Sequence, residues 1–437
     1  MYKSLMYQKN WLGYLLIFCF IGSIVAINAI VSIGVLLVLF LVLYSLYNPV
    51  SNTMLMLVMS CISFQYFIKV DFLGVDAVTA YKLLFLISII ILVITKNKVN
   101  YSYSYPIIMI SFICVYSTMV VFYRGEFPLF IVFKAYIGLF LPFLILMIKW
   151  ESKSIEKILL ILSLLPIISS IAGVTLDLLG VRDVFMYEYT GTKRFQGANV
   201  PAHLAELCFI AIAVLVYQYI RKPRNFYLFL IAINYGIVVL TYTRTFMMAC
   251  SILVGVILLY FLINFLKGKV IYVITLTLAL VALMVMIYFS LDNLMQRTFS
   301  YNGNFDTSGR EYAWTYFLKE AADTKLLGRG LGIAQLLNPP VYGFVAPHNE
   351  YLRFYLETGV IGCILFFSTV VYIFRLVYEK IAKENTFIFK VYFINFVVGF
   401  AFLSYYDNTL TNIQSMYPFI FFISAIASIE SEKALVK

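Results

Sequence analysis

Histidine occurs only twice in the 437 residues of this chain, at His203 and His348. Its side chain is the one whose ordinary titration falls near neutral pH, so these two positions bound where protons can be moved. His348 stands in Ala346-Pro347-His348-Asn349-Glu350-Tyr351, directly ahead of a long apolar run. Glu357-Thr358-Gly359-Val360-Ile361-Gly362 follows within that run. Arg244 interrupts apolar sequence in Tyr242-Thr243-Arg244-Thr245, and Arg310 sits in Ser308-Gly309-Arg310-Glu311. A guanidinium is charged at every accessible pH and presents a fork that matches an anionic ligand. The alternatives are plainer: arginines that anchor the chain at lipid headgroups, and a histidine that only caps a helix after Pro347.

The elements that position these residues are membrane helices. The chain is 63% hydrophobic, 12% charged and has a mean hydropathy of +0.94. Soluble domains have about 45–50% apolar and about 25% charged residues. Apolar runs near the ~20 residues of a spanning helix recur along the whole length. They lack the period-two alternation of a membrane barrel. The expected fold is an all-α polytopic membrane protein with about 12–14 transmembrane helices. Spans are expected at 11–28, 29–47, 50–68, 78–95, 105–123, 128–148, 156–180, 201–220, 225–242, 245–266, 270–290, 351–374, 386–404 and 414–430. The first two share one apolar run, divided only at Asn28, and the segment from Met1 to Asn10 reads as the lead into a retained first helix.

Lysine and arginine in the short loops orient the chain with both ends inside. Lys96 and Lys98, Lys149 and Lys153, Arg221 and Lys222, Lys267 and Lys269, and Arg375 and Lys380 then fall on one side. The organisation is therefore 1–290 as helices one to eleven, 291–350 as a long outer loop, and 351–437 as the last three helices. In the loop, Ser308 and Glu311 have the spacing of a capping box. Trp314, Phe317, Leu318 and Ala321 follow on one helical face, predicting an amphipathic helix near 309–322. The six cysteines all lie in apolar segments without a CxxC pair and read as small core residues.

The outer side carries Arg124, Arg182, Arg194, Arg244, Arg297, Arg310, Arg329 and Arg353, more than topology alone favours. Lys134, Glu206 and the pair Arg353/Glu357 lie a turn or more inside apolar segments. His203 and Glu206 share one face at i,i+3. Ionisable groups in such places point to function or to internal pairing. None stands alone at mid-bilayer, which argues against an ion path. No DxD pair and no clustered His, Asp and Glu with ligand spacing occur on the outer side, and the nearest carboxylate pair, Asp71 and Asp76, reads as a solvated loop, so neither a metal nor another cofactor is expected.

His348-Asn349-(Glu350)-Tyr351-Leu352 with Glu357-Thr358-Gly359-Val360-Ile361-Gly362 resembles the signature of the O-antigen polymerase/ligase superfamily. Thr243-Arg244-Thr245 is similar to that family's Ser-Arg-Gly/Thr corner. Ser308-Gly309-Arg310 with Trp314 and Leu327-Gly328-Arg329-Gly330-Leu331-Gly332 is similar to its Ser-Gly-Arg…Trp…Gly-x-Gly run. Arg194-Phe195-Gln196-Gly197-Ala198-Asn199 is a partial counterpart of a fourth element. The resemblance covers about 190–370.

It implies a bundle like that of the lipid-linked-sugar (GT-C-like) glycosyltransferases, in the bacterial inner membrane, with the active site facing the periplasm. The implied activity is metal-independent transfer of a glycan from undecaprenyl pyrophosphate to a sugar hydroxyl, in lipopolysaccharide or another surface polysaccharide. Arg244 and Arg310 would hold the pyrophosphate, and His348 would meet the acceptor hydroxyl or the reacting centre. Glu350 and Glu357 are alternative bases. Arg194, Arg124, Arg353, Asn349, Glu350, Tyr351 and Trp314 are the accompanying substrate-binding candidates. The implied partners are the lipid-linked oligosaccharide, the bilayer, a chain-length regulator and a flippase, with no nucleic acid. A Wzy-type polymerase is favoured over a ligase that moves the finished glycan to lipid A core. A lipid-linked-oligosaccharide transporter is the remaining alternative, disfavoured because the helix middles are apolar and the polar sequence is one-sided.

Overall fold

The computed structural model describes residues 39–63, 66, 71–72, 75–96, 99–125, 128–188, 191–298, 309–337, 347–382 and 387–433. The expected helix 11–28 and the reading of the first ten residues lie outside these, as does Ser308. Residues 39–47 are helical. The helices that follow are α1 (Pro49–Met59), α2 (Ala77–Lys96), α3 (Ser104–Arg124), α4 (Leu129–Ile145), α5 (Ser152–Leu178), α6 (Pro201–Arg221) and α7 (Asn225–Thr241). They continue with α8 (Arg244–Leu266), α9 (Ile271–Thr298), α10 (Arg310–Glu320), α11 (Glu350–Ala382), α12 (Phe387–Tyr406) and α13 (Ile413–Lys433). Two small antiparallel hairpins interrupt them, β1 (Asp71–Phe72) with β2 (Val75–Asp76), and β3 (Phe185–Tyr187) with β4 (Lys193–Phe195).

Among the described residues, seven helices are long and apolar enough to cross a bilayer, including α2, α5, α6, α8 and α12. Four shorter apolar helices accompany them. The protein is an all-α polytopic membrane protein. Only a closed set of backbone hydrogen bonds is tolerated in hydrocarbon, which is why helices carry the spans and the strands are confined to connections. Helix α6 is the hub: 89% of its apolar window is buried. Phe209 stacks on Phe396 of α12 (centroids 6.0 Å), and Gly399 of α12 faces the same ring, where a Cβ would come within 3.2 Å.

Successive helices alternate, so their connections gather at two ends. One end holds β3–β4, the α7–α8 corner, the close of α9, α10, the start of α11 and the α12–α13 connection. This hairpin end corresponds to the side that loop charge predicts to be outer.

Helix α11 is broken. Gly359 has φ 64° and ψ −172°, so Glu350–Thr358 forms a short helix before the long one. The segment 325–330 docks into the break: Arg329 N–H donates to Leu356 O (2.9 Å) and Gly330 N–H to Glu357 O (2.8 Å). In return Val360 N–H donates to Lys325 O (2.8 Å) and Ile361 N–H to Leu326 O (3.2 Å). A Cβ on Gly359 would lie 2.3 Å from Leu326 O, so a glycine is required there for space as well as for φ. The Glu-Thr-Gly-Val-Ile-Gly and Leu-Gly-Arg-Gly sequences are thus two halves of one joint.

Helix α10 differs from its expected form. Gly309, in a left-handed conformation (φ 75°), is the N-cap and offers no side-chain cap, so Arg310 opens the helix and Glu311 falls one position early for a capping box. Its inward face is Ala313, Phe317 and Ala321, packed with Leu352 and Leu356 of α11, while Leu318 is 53% exposed. Helix α9 runs on to Thr298, beyond the expected close at 290.

Candidate functional site

His348 sits at the hairpin end with φ 47°, a left-handed conformation that costs a non-glycine residue about 1–3 kcal/mol. Its neighbours hold it there. Trp314 Nε1–H of α10 donates to Pro347 O (2.7 Å), and the Trp314 ring packs edge-on against Tyr405 (5.2 Å). Asn349 caps α11 by accepting from Leu352 N–H on its side-chain oxygen (3.0 Å). The imidazole is about one-third exposed, with Nδ1 3.2 Å from Asp407 Oδ1. With the proton on Nδ1, His348 donates to Asp407, and Nε2 is then the acceptor nitrogen of the ring.

Asp407 is 4% exposed and lies in the connection after α12. Burial alone would push its carboxyl up. The hydrogen bond and charge of His348, the charge of Arg310 and the Asn408 N–H (2.9 Å) outweigh this and hold it below the usual carboxylate range. Sequence reasoning missed Asp407; its signal is slight, a lone acid at the mouth of an apolar run in Tyr405-Tyr406-Asp407-Asn408.

Arg310 opens α10, partly buried and within electrostatic reach of Asp407. Arg194, on β4, is 5% exposed and laced to the α7–α8 corner: Nε donates to Thr241 O (2.8 Å) and Nη2 to Thr243 Oγ1 (2.9 Å). Glu188 accepts from Nη1 of Arg194 (3.3 Å) and also pairs with Arg297 of α9. Burial, then the charge of Arg297, brings the Arg194 guanidinium down to about 10, while Glu188 and Asp407 pull it up, so it stays charged at neutral pH. Tyr242 turns the corner in a left-handed conformation (φ 49°), and Asn293 of α9 donates to its hydroxyl (2.8 Å). Arg244 is the first residue of α8, next to the Thr243 that Arg194 grips. The helix dipole there adds to its positive field.

The remaining candidates go elsewhere. Arg353 is buried and committed to Glu350 (Nε to Oε2, 2.5 Å) and Glu357 (Nη1 to Oε2, 3.0 Å). Glu350 also accepts from Leu410 N–H (2.7 Å) and Thr411 Oγ1 (3.2 Å), which ties α11 to the same connection that carries Asp407. Neither glutamate has an exposed face, so both brace the site from behind. Tyr351 donates to Ala401 O (3.1 Å) and stacks on Phe367 (4.9 Å), turning its ring along α11 and α12. Arg124 is exposed at the end of α3, on a separate groove of about 890 Å³ shared with Lys325 and Leu326. Arg329 pairs with Glu320 (2.5 Å), and Arg182 donates to Gln196 and to Asn199 O (2.9 and 2.7 Å). Among the described residues, no group of three or more His, Cys, Asp and Glu side chains is placed to hold a metal ion.

The arrangement is thus an Asp407–His348 pair with Arg310 and Arg194 around it and Arg244 at the adjoining corner. Fixed cations beside a proton acceptor suit a reaction in which a hydroxyl attacks while an anion leaves. Residues 226–367 match the family model described as O-antigen ligase, a span that contains the α7–α8 corner, α10, the joint at Gly359 and His348. No curated protein matches the chain.

Proposed function

We propose that this protein, a member of the O-antigen polymerase/ligase superfamily by that match, is an O-antigen or related surface-polysaccharide polymerase. It transfers a glycan from undecaprenyl pyrophosphate to a sugar hydroxyl of a lipid-linked repeat unit. It works in the bacterial inner membrane with its site facing the periplasm, beside a flippase and a chain-length regulator. One observation carries the reading of the chemistry: the His348–Asp407 contact at 3.2 Å lies within the field of arginines from two separate elements, Arg310 of α10 and Arg194 of β4.

In this reading Arg310 and Arg244 face the donor pyrophosphate, whose charge grows as the glycosidic bond breaks. Preorganised cations in a site screened from water stabilise that charge, each to the extent of about 2.7–4 kcal/mol. His348 Nε2 takes the hydroxyl proton as the new bond forms, and Asp407 holds the ring and balances the imidazolium. Arg194 sets the α7–α8 corner that carries Arg244. The reaction needs no metal in this form, since the arginines supply the positive charge. A ligase that moves the finished glycan to lipid A core is the second reading, favoured by the description of the matching family model.

The test is a deletion strain. Lipopolysaccharide reduced to core with a single repeat supports polymerase; bare core with accumulated lipid-linked polymer supports ligase and sinks the first reading. Purified protein that makes no polymer from lipid-linked repeat, while transferring glycan to core, would likewise establish a ligase.

A further inference from the structure

Close to the His348 site lies a second, smaller cavity of about 90 Å³, enclosed by the starts of α2, α6 and α13. Lys82, His203, Thr411, Asn412 and Gln414 supply its polar lining. Its wall, Thr411–Gln414, continues the connection that holds Asp407, and His203 lies within electrostatic range of both Asp407 and His348. Cavity and proton-transfer pair are therefore neighbours.

A lysine in an apolar helix needs a reason, because its charge is costly away from water unless compensated. Among the described residues Lys82 makes no ion pair. Asp76, the acid nearest in influence, is taken by Lys134 (3.5 Å) and by Thr79 N–H (2.7 Å). Gly138 of α4 leaves room for the ammonium, since a Cβ there would stand 3.0 Å from Lys82 Nζ. Among the described residues, no acidic side chain lines the cavity. Glu206, the neighbouring carboxyl, is turned to Asn412 Nδ2 (2.9 Å). His203 Nδ1 meets Ser63 Oγ (3.4 Å), whose hydroxyl donates to Asn199 (2.6 Å) and accepts from Gln414 Nε2 (3.1 Å). The lining thus offers one cation, an imidazole, two amides and a hydroxyl.

We infer that this cavity is a specificity subsite for the acceptor glycan, taking the carboxylate of an acidic sugar against Lys82. Charge and size select the ligand: one ammonium in a small cavity balances one monoanion, whereas a pyrophosphate needs the several arginines found around Asp407. The amides and Thr411 suit the hydroxyls of the same sugar ring. That the ligand is a sugar rests on the glycan-transfer reading; that the cavity takes an oxyanion does not.

Full-length protein purified in detergent tests this by saturation-transfer NMR with D-glucuronate, D-glucose and inorganic phosphate as probes. Glucuronate binds the wild type and R310Q alike, and Lys82→Met weakens it by at least about tenfold, the loss of a charged hydrogen bond. An unchanged glucuronate affinity in K82M overturns the inference, and so does a wild type that prefers phosphate or binds glucose equally well. Should K82M not fold, acetylation of Lys82 in the wild type, followed by mass spectrometry, decides: glucuronate protects the lysine, and absence of protection overturns the inference. Lys82-dependent glucuronate binding by a protein with no transfer activity would sink the transferase reading alone. Transfer to a neutral repeat at full rate, indifferent to K82M, would sink the subsite alone.

Discussion

The two ends of the bundle are built from similar helices and held by opposite chemistry. At the end away from the hairpin, the contacts described between buried side chains are neutral, and the ion pair Arg375–Glu379 is exposed: Trp150 Nε1–H donates to Ser424 Oγ (2.9 Å), and Ser424 in turn donates to Ile145 O (3.0 Å). At the hairpin end, Arg194, Glu350, Arg353, Glu357 and Asp407 are all buried, and each is fixed by an ionisable partner. Burying ion pairs adds little net stability and often costs some, because desolvation offsets the attraction. A protein that needed only to hold helices together would use the first solution at both ends. The difference teaches that the hairpin end gives up stability to fix charges in place, which accords with the proposed transfer from an anionic donor.

The contrast is broken most directly at His348. His348→Ala should lower glycan transfer by roughly 10²–10⁴-fold with protein level nearly unchanged, its thermal midpoint falling modestly as buried Asp407 loses a hydrogen bond. Wild-type polymer banding in the complemented deletion strain would remove the imidazole from the chemistry. Arg310→Ala and Arg244→Ala come next, each about 10²–10³-fold in rate. A rise in acceptor KM with rate intact would instead make them acceptor contacts.

Asp407→Asn should have a smaller effect, about tenfold, because the imidazole survives but loses its orienting partner. This variant also sharpens the comparison through pH. The folded-state titration of Asp407 lies below its unfolded value of about 3.9, so its stabilising contribution is present above that value and lost as pH falls through the folded one. Thermal midpoints of wild type and D407N should therefore differ at pH 7 and converge in acid below about pH 4. A constant gap would mean that the carboxylate charge is not what stabilises the connection.

The smallest effect belongs to the neutral end. Ser424→Ala should destabilise by about 1 kcal/mol, through the Trp150 N–H left without its acceptor, and should leave transfer rates alone. A large loss of activity there would erase the functional distinction between the ends.

Much of this was legible from the chain itself. Apolar runs long enough to span, interrupted by basic loops, dictate helices because hydrocarbon offers backbone groups no other partner. The type and order of Arg244, Arg310 and His348 also stand in the sequence, since they lie in local motifs at helix starts. The joint at Gly359 was half legible: the glycines could be seen, but not that 325–330 would hydrogen-bond into the gap they open.

Tertiary structure alone decided which charged residues face one another. Arg353 and Glu350 share the His348 motif yet point into a buried triad, whereas Asp407, 59 residues away in sequence, supplies the partner. Arg194 and Arg124 look alike in sequence, but one braces the α7–α8 corner and the other lies on a separate groove. Periodicity is local and is read along one helix; electrostatic partnership acts across space, and spatial neighbours in a bundle are fixed only when the helices pack.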